Sequence, residues 1–197
     1  MMNKKVPLLY HIGKFILKPL FKFYYNPKVI GKENIPKYGS IIIAGNHKHL
    51  YDQCIPIIST KRPIHYMAKR EYFDNKKISW FFKACGCISV DRSKKDPKSV
   101  EKALSVLNDG GAIGIFPEGT RNKTKEILLP FKYGAVSMAK KANAYIVPFG
   151  ITGDYRFRSK DLTLRIGQPF KVGDMTLEEA NNKLYNEVCS LMKQNLK

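Results

Sequence analysis

The sequence has few acidic residues, few arginines, few cysteines and no long apolar run. Uninterrupted apolar stretches such as Ile41–Gly45 and Tyr145–Ile151 extend over about five to seven residues, whereas a membrane-spanning helix needs about 20. We therefore expect no transmembrane helix. Lysines interrupt the N-terminal segment and no small-residue cleavage site follows it, so we expect no signal peptide.

The cysteine content excludes a disulfide scaffold. Four cysteines are too few for such a framework in a chain of 197 residues, which favours a reducing compartment. Cys85 and Cys87 are spaced too tightly for a zinc knuckle, and no second cysteine pair is present. We expect neither a metal site nor a bound cofactor.

The charge balance is strongly basic. Lysine and arginine number 35 against 16 acidic residues, which gives a net charge of +19. Such an excess indicates a polyanionic partner, either nucleic acid, an anionic membrane surface or a phosphorylated substrate. Only seven of the cations are arginine, and no helix-turn-helix, KH, RRM or zinc pattern is present, so we do not expect nucleic-acid binding.

The length corresponds to one domain with an appendage. Short apolar runs alternate with amphipathic segments, which predicts an α/β fold with a mostly parallel central sheet flanked by helices. Asp96-Pro97 and Thr176–Glu179 are typical helix starts. The expected strands are 40–44, 64–68, 87–90, 112–116, 145–151 and an edge-like 162–166; the expected helices are 52–59, 77–84, 97–109, 131–142 and one beginning at 177.

Residues 1–27 form a separate N-terminal segment, ahead of a catalytic domain at 28–197. Its polar residues recur with spacings of three, four and four, and large apolar residues fill the rest of the helical surface. This pattern is typical of amphipathic helices in a membrane interface, although core packing is the alternative. Gly13 and Pro19 predict a kink or two short helices. The polar stripe is His11, Lys14, Lys18 and Lys22.

Two polar clusters follow predicted strands, at the strand ends where α/β sheets bind ligands. In the first, Asp52 comes five residues after His47 and could orient it as a general base if the intervening residues turn. Alternatively, Asp52 is a helix N-cap. In the second, Glu118 could accept from a hydroxyl, Gly119 allows close backbone approach, and Arg121 could bind a phosphate. That cluster could also be an ordinary charged turn.

Together the clusters resemble the glycerolipid acyltransferase family, nearest to the bacterial lysophosphatidate acyltransferases. The motifs are His-x-x-x-x-Asp and, about 70 residues on, Phe-Pro-Glu-Gly-Thr-Arg. The segments 31–36, 67–71, 86–92, 131–135 and 146–148 also fit, so that the resemblance covers roughly residues 28–155. Asn122 departs from the family, where serine is frequent, and removes no group with a chemical role.

The resemblance implies acyl transfer from a thioester to the sn-2 hydroxyl of lysophosphatidate, giving phosphatidate without a covalent acyl-enzyme. His47 would be the base and Asp52 its orienting carboxylate. The phosphate would bind among the cations Lys69, Arg92 and Arg121, and the glycerol hydroxyls would bind Glu118 and Thr120 beside Gly119.

The resemblance leaves the donor and the acceptor head group open. Acyl carrier protein and coenzyme A thioesters both suit the positive charge. Glycerol-3-phosphate or another lysophospholipid is an alternative acceptor, and a non-catalytic membrane-surface scaffold is an alternative function. The expected location is the cytoplasmic face of the cell membrane, as a peripheral protein on anionic phospholipid.

Overall fold

The protein is described by a computed structural model that covers residues 8–91, 93 and 95–196. Its strands are β1 (Lys28–Ile30), β2 (Ile41–Gly45), β3 (Ile64–Lys69), β4 (Ile88–Val90), β5 (Ala112–Ile115), β6 (Tyr145–Thr152) and β7 (Thr163–Ile166). Its helices are α1 (Leu8–Tyr25), α2 (Cys54–Ser59), α3 (Glu71–Asp74), α4 (Ser79–Ala84), α5 (Pro97–Asn108), α6 (Gly134–Lys141) and α7 (Leu177–Asn195). The described strands form one sheet in the order β1-β7-β6-β2-β5-β3-β4.

The predicted fold class is confirmed, because every described strand pair except β6–β7 is parallel. Strand β2 lies at the centre, between β5 and β6, and every residue in it is buried. Its side chains alternate between two cores, as a strand's period of two requires. Ile42 and Ala44 pack with residues of α5, α6 and α7, whereas Ile41 and Ile43 pack with residues of α1 and α2.

The predicted helix starts are also present. The Asp96 carboxylate accepts from the Ser99 amide at the start of α5, 3.1 Å away, and Pro97 occupies the first turn. Thr176 and Glu179 form a reciprocal capping box at the start of α7. Both helices lie on the same face of the sheet, so these local signals fix the first residues of two helices in the layer that covers that face.

The strand predicted at 162–166 is present as β7, but its predicted edge position is wrong. Strand β7 lies inside the sheet, with β1 in parallel on one side and β6 antiparallel on the other. Sequence analysis missed β1, whose three residues are too few to show a pattern, and it missed the four-residue α3. Since β1 covers β7, the edges of the described sheet are β1 and β4.

The N-terminal segment forms one continuous helix, α1. Of the two expected forms, the division into two short helices is therefore wrong, whereas the kink stays a prediction. Pro19 removes a single backbone donor, and buried Tyr10 and Phe21 anchor the helix on either side of it. No helix in the described part of the chain is both long and apolar enough to cross a membrane.

Lys14 does not share the solvent-facing stripe expected for it. Its ammonium donates to the carbonyl oxygen of Thr60, at the end of α2. Burial, with the nearby Lys18 charge, lowers the pKa of Lys14 to about 8. Lys14 therefore belongs to the packed face of α1, together with Tyr10 and Phe21, while Lys18 and Lys22 are exposed.

One arginine ties together the loops at the amino edge of the sheet. The Arg62 guanidinium donates to the carbonyl oxygens of Pro36, Gly39 and Gly110, at 2.9, 2.6 and 2.7 Å. These carbonyls precede β2 and β5, and Arg62 itself precedes β3. The planar five-donor fork of arginine suits this task better than the compact ammonium of lysine.

We predict that Arg62→Met lowers the free energy of unfolding by about 2 kcal/mol, because three carbonyls lose a charged donor. That loss corresponds to a fall of roughly 4–8 °C in Tm for a chain of this size. The exposed neighbour supplies the control, Lys61→Met, which should leave Tm unchanged. Thermal unfolding followed by circular dichroism measures both, and equal Tm values for the two variants would contradict the prediction.

Candidate active site

The predicted site residues lie at the carboxyl edge of the sheet. Strands β6, β2, β5, β3 and β4 are adjacent in that order and run in parallel, so their carboxyl ends line up. His47 follows β2, Glu118 follows β5, and Lys69 ends β3. Tyr155 follows β6 and comes to the same edge.

His47 and Asp52 form a direct pair, with 2.9 Å between His47 Nδ1 and Asp52 Oδ2. Asp52 has no exposed surface. The backbone amides of Lys48 and His49 also donate to Oδ2, each at 2.7 Å, so this carboxylate closes the turn that brings residues 47 and 52 together. Asp52 is therefore not the N-cap of α2, a position that belongs to Gln53.

The pairing determines the chemistry of the imidazole. Because a carboxylate accepts from Nδ1, that nitrogen carries the proton and Nε2 carries the free lone pair. A buried carboxylate also stabilises the imidazolium that forms when Nε2 takes a proton. His47 is thus arranged as a general base, with Asp52 as its orienting group.

Tyr155 is a third member of this arrangement that sequence analysis missed. Its hydroxyl donates to Asp52 Oδ1 over 2.7 Å, and its ring stacks on His49 with the centroids 4.3 Å apart. Burial, followed by the Asp52 charge, raises the pKa of Tyr155, which keeps the hydroxyl protonated as a donor. The one available signal was its position just after β6, at a strand end.

The segment 116–122 holds His47 in place from three directions. The Phe116 ring stacks on the imidazole, with centroids 4.0 Å apart and planes 12° from parallel. The His47 amide donates to Glu118 Oε1 at 2.7 Å, and the His47 carbonyl oxygen accepts from the Asn122 amide at 2.6 Å. The second motif therefore fixes the ring and the backbone of the first.

Glu118 is buried and engaged at both oxygens. Its Oε2 accepts from the Leu129 amide at 2.9 Å, in addition to the His47 bond at Oε1. Burial raises the pKa of Glu118, and the two amide bonds oppose that shift. Through these two hydrogen bonds, Glu118 connects the turn at 117–121 with His47 and residue 129. The predicted contact between Glu118 and a glycerol hydroxyl stays a prediction.

Gly119 occupies a left-handed position with φ of +71° in the same turn. A Cβ at Gly119 would lie 3.0 Å from Cε and Nζ of Lys132, so the lysine side chain runs directly over the glycine. Sequence analysis noted Lys132 only as part of the segment 131–135. The structure places it as an exposed cation beside this turn.

The remaining predicted site residues are placed less directly. Lys69, Thr120 and Arg121 are exposed at this edge of the sheet, where a ligand could reach them. Arg92 lies outside the described residues. Direct contacts therefore join His47, Asp52 and Glu118, while the proposed cation cluster around the phosphate stays a prediction.

Comparison with known proteins places the chain in a family. The Acyltransferase family profile matches residues 26–152, which include the described site from His47 to Arg121. The 1-acyl-sn-glycerol-3-phosphate acyltransferase of Bacillus subtilis is 34% identical over 163 residues, covering 80% of this chain and 80% of the relative. The protein of the same name from Borreliella burgdorferi is 35% identical over 141 residues, covering 71% of this chain and 56% of the relative.

A solved structure has the same fold. The crystal structure of the 1-acyl-sn-glycerophosphate (LPA) acyltransferase PlsC from Thermotoga maritima matches with a TM-score of 0.74 and 23% identity. The match covers 98% of this chain and 83% of that chain. The family profile and the relatives, added to the His47–Asp52 pair at the sheet edge, show that this chain belongs to the acyltransferase family.

Proposed function

We propose that this protein is a 1-acyl-sn-glycerol-3-phosphate acyltransferase, which moves an acyl chain from a thioester to the sn-2 hydroxyl of lysophosphatidate. The product is phosphatidate. The observation that carries the proposal is the 2.9 Å contact between His47 Nδ1 and the buried Asp52 carboxylate. The relatives that cover most of this chain bear the name of that activity.

In the proposed reaction, His47 Nε2 removes the proton of the acceptor hydroxyl while Asp52 stabilises the imidazolium. The acceptor oxygen attacks the thioester carbonyl carbon and forms a tetrahedral intermediate. The C–S bond then breaks, and the leaving thiolate takes the proton back from His47. This sequence needs no covalent acyl-enzyme, and we propose that it needs no metal or cofactor.

The acceptor phosphate would lie among the cations of the carboxyl edge. We assign it to Lys69 and Arg121 at this edge and, on the family resemblance alone, to Arg92, with Glu118 and Thr120 near the glycerol and Gly119 permitting close approach. The donor would be a thioester of acyl carrier protein or coenzyme A. Both carry negative charge, which suits a chain of net charge +19.

Both lipids of the proposed reaction reside in a bilayer, and α1 offers a surface for it. Its exposed face opposite Tyr10 and Phe21 consists of large apolar side chains, of which Phe15 is 82% exposed. Exposed Lys18 and Lys22 border that face and could meet anionic head groups. We propose peripheral attachment at the cytoplasmic face of the cell membrane. The exposed apolar residues are Leu8, Leu9, Ile12, Phe15, Ile16, Leu20 and Phe23.

His47→Ala should lower kcat by about 10³-fold, since general-base catalysis contributes roughly 10²–10⁴-fold. The assay is thiol release from palmitoyl-coenzyme A and from palmitoyl-acyl carrier protein, with lysophosphatidate in mixed micelles. The matched control is His49→Gln, in the same turn, which should keep kcat within about tenfold because His49 does not contact Asp52 through its side chain. Equal losses in the two variants would contradict a base role for His47.

The same assay tests the acceptor and the alternatives to this function. Lysophosphatidate should be used in preference to glycerol-3-phosphate and to other lysophospholipids. Transfer to one of those acceptors alone would keep the acyltransferase and reassign its substrate. No transfer to any acceptor from either donor would favour a non-catalytic scaffold.

Tyr155→Phe should lower kcat by about 10- to 100-fold with little change in KM, because a hydrogen bond to a charged group is worth about 1.5–3 kcal/mol. The variant removes only the hydroxyl that orients Asp52, and loss of the same energy from the folded state corresponds to a fall of roughly 3–12 °C in Tm, so the variant should stay folded at 25 °C. Steady-state kinetics and thermal unfolding of the variant measure both effects. A loss confined to KM or to Tm would contradict a positioning role.

Substituting the exposed apolar face of α1 should separate attachment from chemistry. The double variant Phe15→Glu/Leu20→Glu should weaken binding to phosphatidylglycerol vesicles by at least about 100-fold, at roughly 1.5–3 kcal/mol for each side chain. Turnover of a monomeric short-chain lysophosphatidate should stay unchanged. Co-sedimentation measures the binding. The control Tyr38→Glu, on an exposed loop before β2, should bind like the original protein.

A further inference from the structure

The connection between β3 and β4 carries a second exposed apolar surface. Helices α3 and α4, here named the α3–α4 hairpin (residues 71–84), pack together through stacked rings. Tyr72 lies 4.8 Å from Phe82 with the ring planes 5° from parallel, and Phe73 lies 5.8 Å from Phe82. These inner rings make the contacts between the two helices, and the outer side of α4 is left exposed to solvent.

That outer side presents large apolar side chains to solvent. Trp80 is 63% exposed and Phe81 is 51% exposed, in edge-to-face contact with each other at 6.1 Å. Ile78 is exposed next to them. Trp80 and Phe81 on α4, with Ile78 at its N-cap, form a cluster of exposed large apolar residues. Such a patch indicates an interaction site.

The identity of the central residue suits a lipid interface. Trp80 is the only tryptophan of the chain, and its indole nitrogen donates to the Lys77 carbonyl oxygen at 3.0 Å. The indole thus has one polar end already satisfied and a broad apolar body exposed. Tryptophan is enriched at the level of lipid head groups for this amphipathic character.

The charges around the patch favour an anionic surface. Lys76, Lys77 and Lys83 are exposed within the hairpin, and Lys69 is exposed just before it. Asp74 pairs with Arg70 at 3.6 Å. With Arg70 and the exposed Glu71 included, residues 69–84 carry five cations against two acids, a net charge of +3. Each lysine near an anionic bilayer contributes about 1 kcal/mol of attraction.

The hairpin also lies on the same face of the sheet as α1. The connections β2–α2–β3 and β3–α3–α4–β4 move in the same direction across the sheet, so right-handed crossovers place both on the face covered by α1. In agreement, Cys87, which follows α4, packs against the same core cluster as Phe21 of α1. The exposed faces of α1 and α4 can therefore meet one surface.

We propose that the α3–α4 hairpin is a second membrane-contact element, which inserts Trp80 and Phe81 into an anionic phospholipid bilayer beside α1. The inference rests on the proposed function, since it concerns how the same site reaches lipid substrates. With the hairpin at the end of β3 and α1 reaching Tyr155 after β6, two apolar elements bracket the His47–Asp52 pair at the bilayer.

Trp80 itself reports on the proposal, because all tryptophan fluorescence of the full chain comes from it. Vesicles of phosphatidylglycerol and phosphatidylcholine are prepared with and without bromine atoms on the acyl chains. In vesicle-bound protein, the emission of Trp80 should shift to shorter wavelength, and bromination should reduce it by about twofold or more, as expected for an indole within the interface.

A relocated reporter is the matched control. The double variant Trp80→Phe/Tyr38→Trp moves the only tryptophan to a loop before β2, at a position that is 87% exposed. Its emission should not respond to bromination. A companion variant, Trp80→Ser/Phe81→Ser, should bind vesicles at least about tenfold more weakly, with unchanged turnover of a monomeric short-chain substrate.

Unquenched Trp80 on vesicle-bound protein would overturn the proposal, and so would a failure of the protein to bind vesicles. A shift to shorter wavelength without quenching would mean that Trp80 is buried against protein and not in lipid, and it would overturn the proposal as well. Acyl transfer is measured on the same preparation with the short-chain substrate. Absent transfer would count against the proposed function, whereas normal transfer with unquenched Trp80 would count against the hairpin alone.

Discussion

A carboxylate with no exposed surface lies at the centre of the site, and its need for donors organises the surrounding chain. Asp52 receives hydrogen bonds from the His47 ring, from the amides of Lys48 and His49, and from the Tyr155 hydroxyl. An isolated buried charge is costly, and removing one partner of a buried charged pair typically costs about 3–5 kcal/mol. The turn after β2, Tyr155 after β6 and the His47 imidazole are therefore all bound to one group.

The second constraint acts on the backbone of His47. Its amide and its carbonyl oxygen both bind the segment 116–122, and its ring stacks on Phe116. Two loops after adjacent strands are thus held in a single geometry, with Glu118 buried between them. A general base that must not swing between rotamers benefits from this fixation, because orientation is itself a large part of the catalytic effect.

Local patterns in the sequence were sufficient for much of this architecture. The apolar runs located β2, β3, β5 and β6 to within one residue at either end, and the helix-cap motifs located the starts of α5 and α7. The spacing of His47 and Asp52 did not show whether the chain turns between them. The resemblance to a family assigned their roles.

What could not be predicted depends on contacts between distant parts of the chain. Tyr155 reaches Asp52 across 103 positions, and no local pattern marks it. The interior place of β7 depends on pairing with β1, which is three residues long. The orientation of the Lys14 side chain depends on its hydrogen bond to the Thr60 carbonyl oxygen, at the end of α2. In each case the position is determined by a partner that is distant in the sequence, and not by the local sequence pattern.

The same distant contacts change how α1 should be understood. Its outer face is apolar and exposed, as an anchor requires, yet its inner face is part of the site. Phe21 and Tyr25 lie 6.4 and 5.5 Å from the Tyr155 ring, and Tyr155 in turn orients Asp52. A helix that only tethered the domain would not need these contacts, so α1 also supports the residue that is hydrogen-bonded to the buried carboxylate.

The consequence concerns where the chemistry can take place. The acyl chains of the substrates gain about 0.8 kcal/mol for each CH₂ kept out of water, so a site far from the bilayer would pay that amount for every carbon it extracted. Because α1 joins its apolar face to the Tyr155–Asp52–His47 chain of contacts, the surface that would hold the bilayer and the base that would act on the hydroxyl are parts of one packed unit. In the proposed arrangement, the distance between lipid and base would thereby be set by the fold and not by a flexible tether.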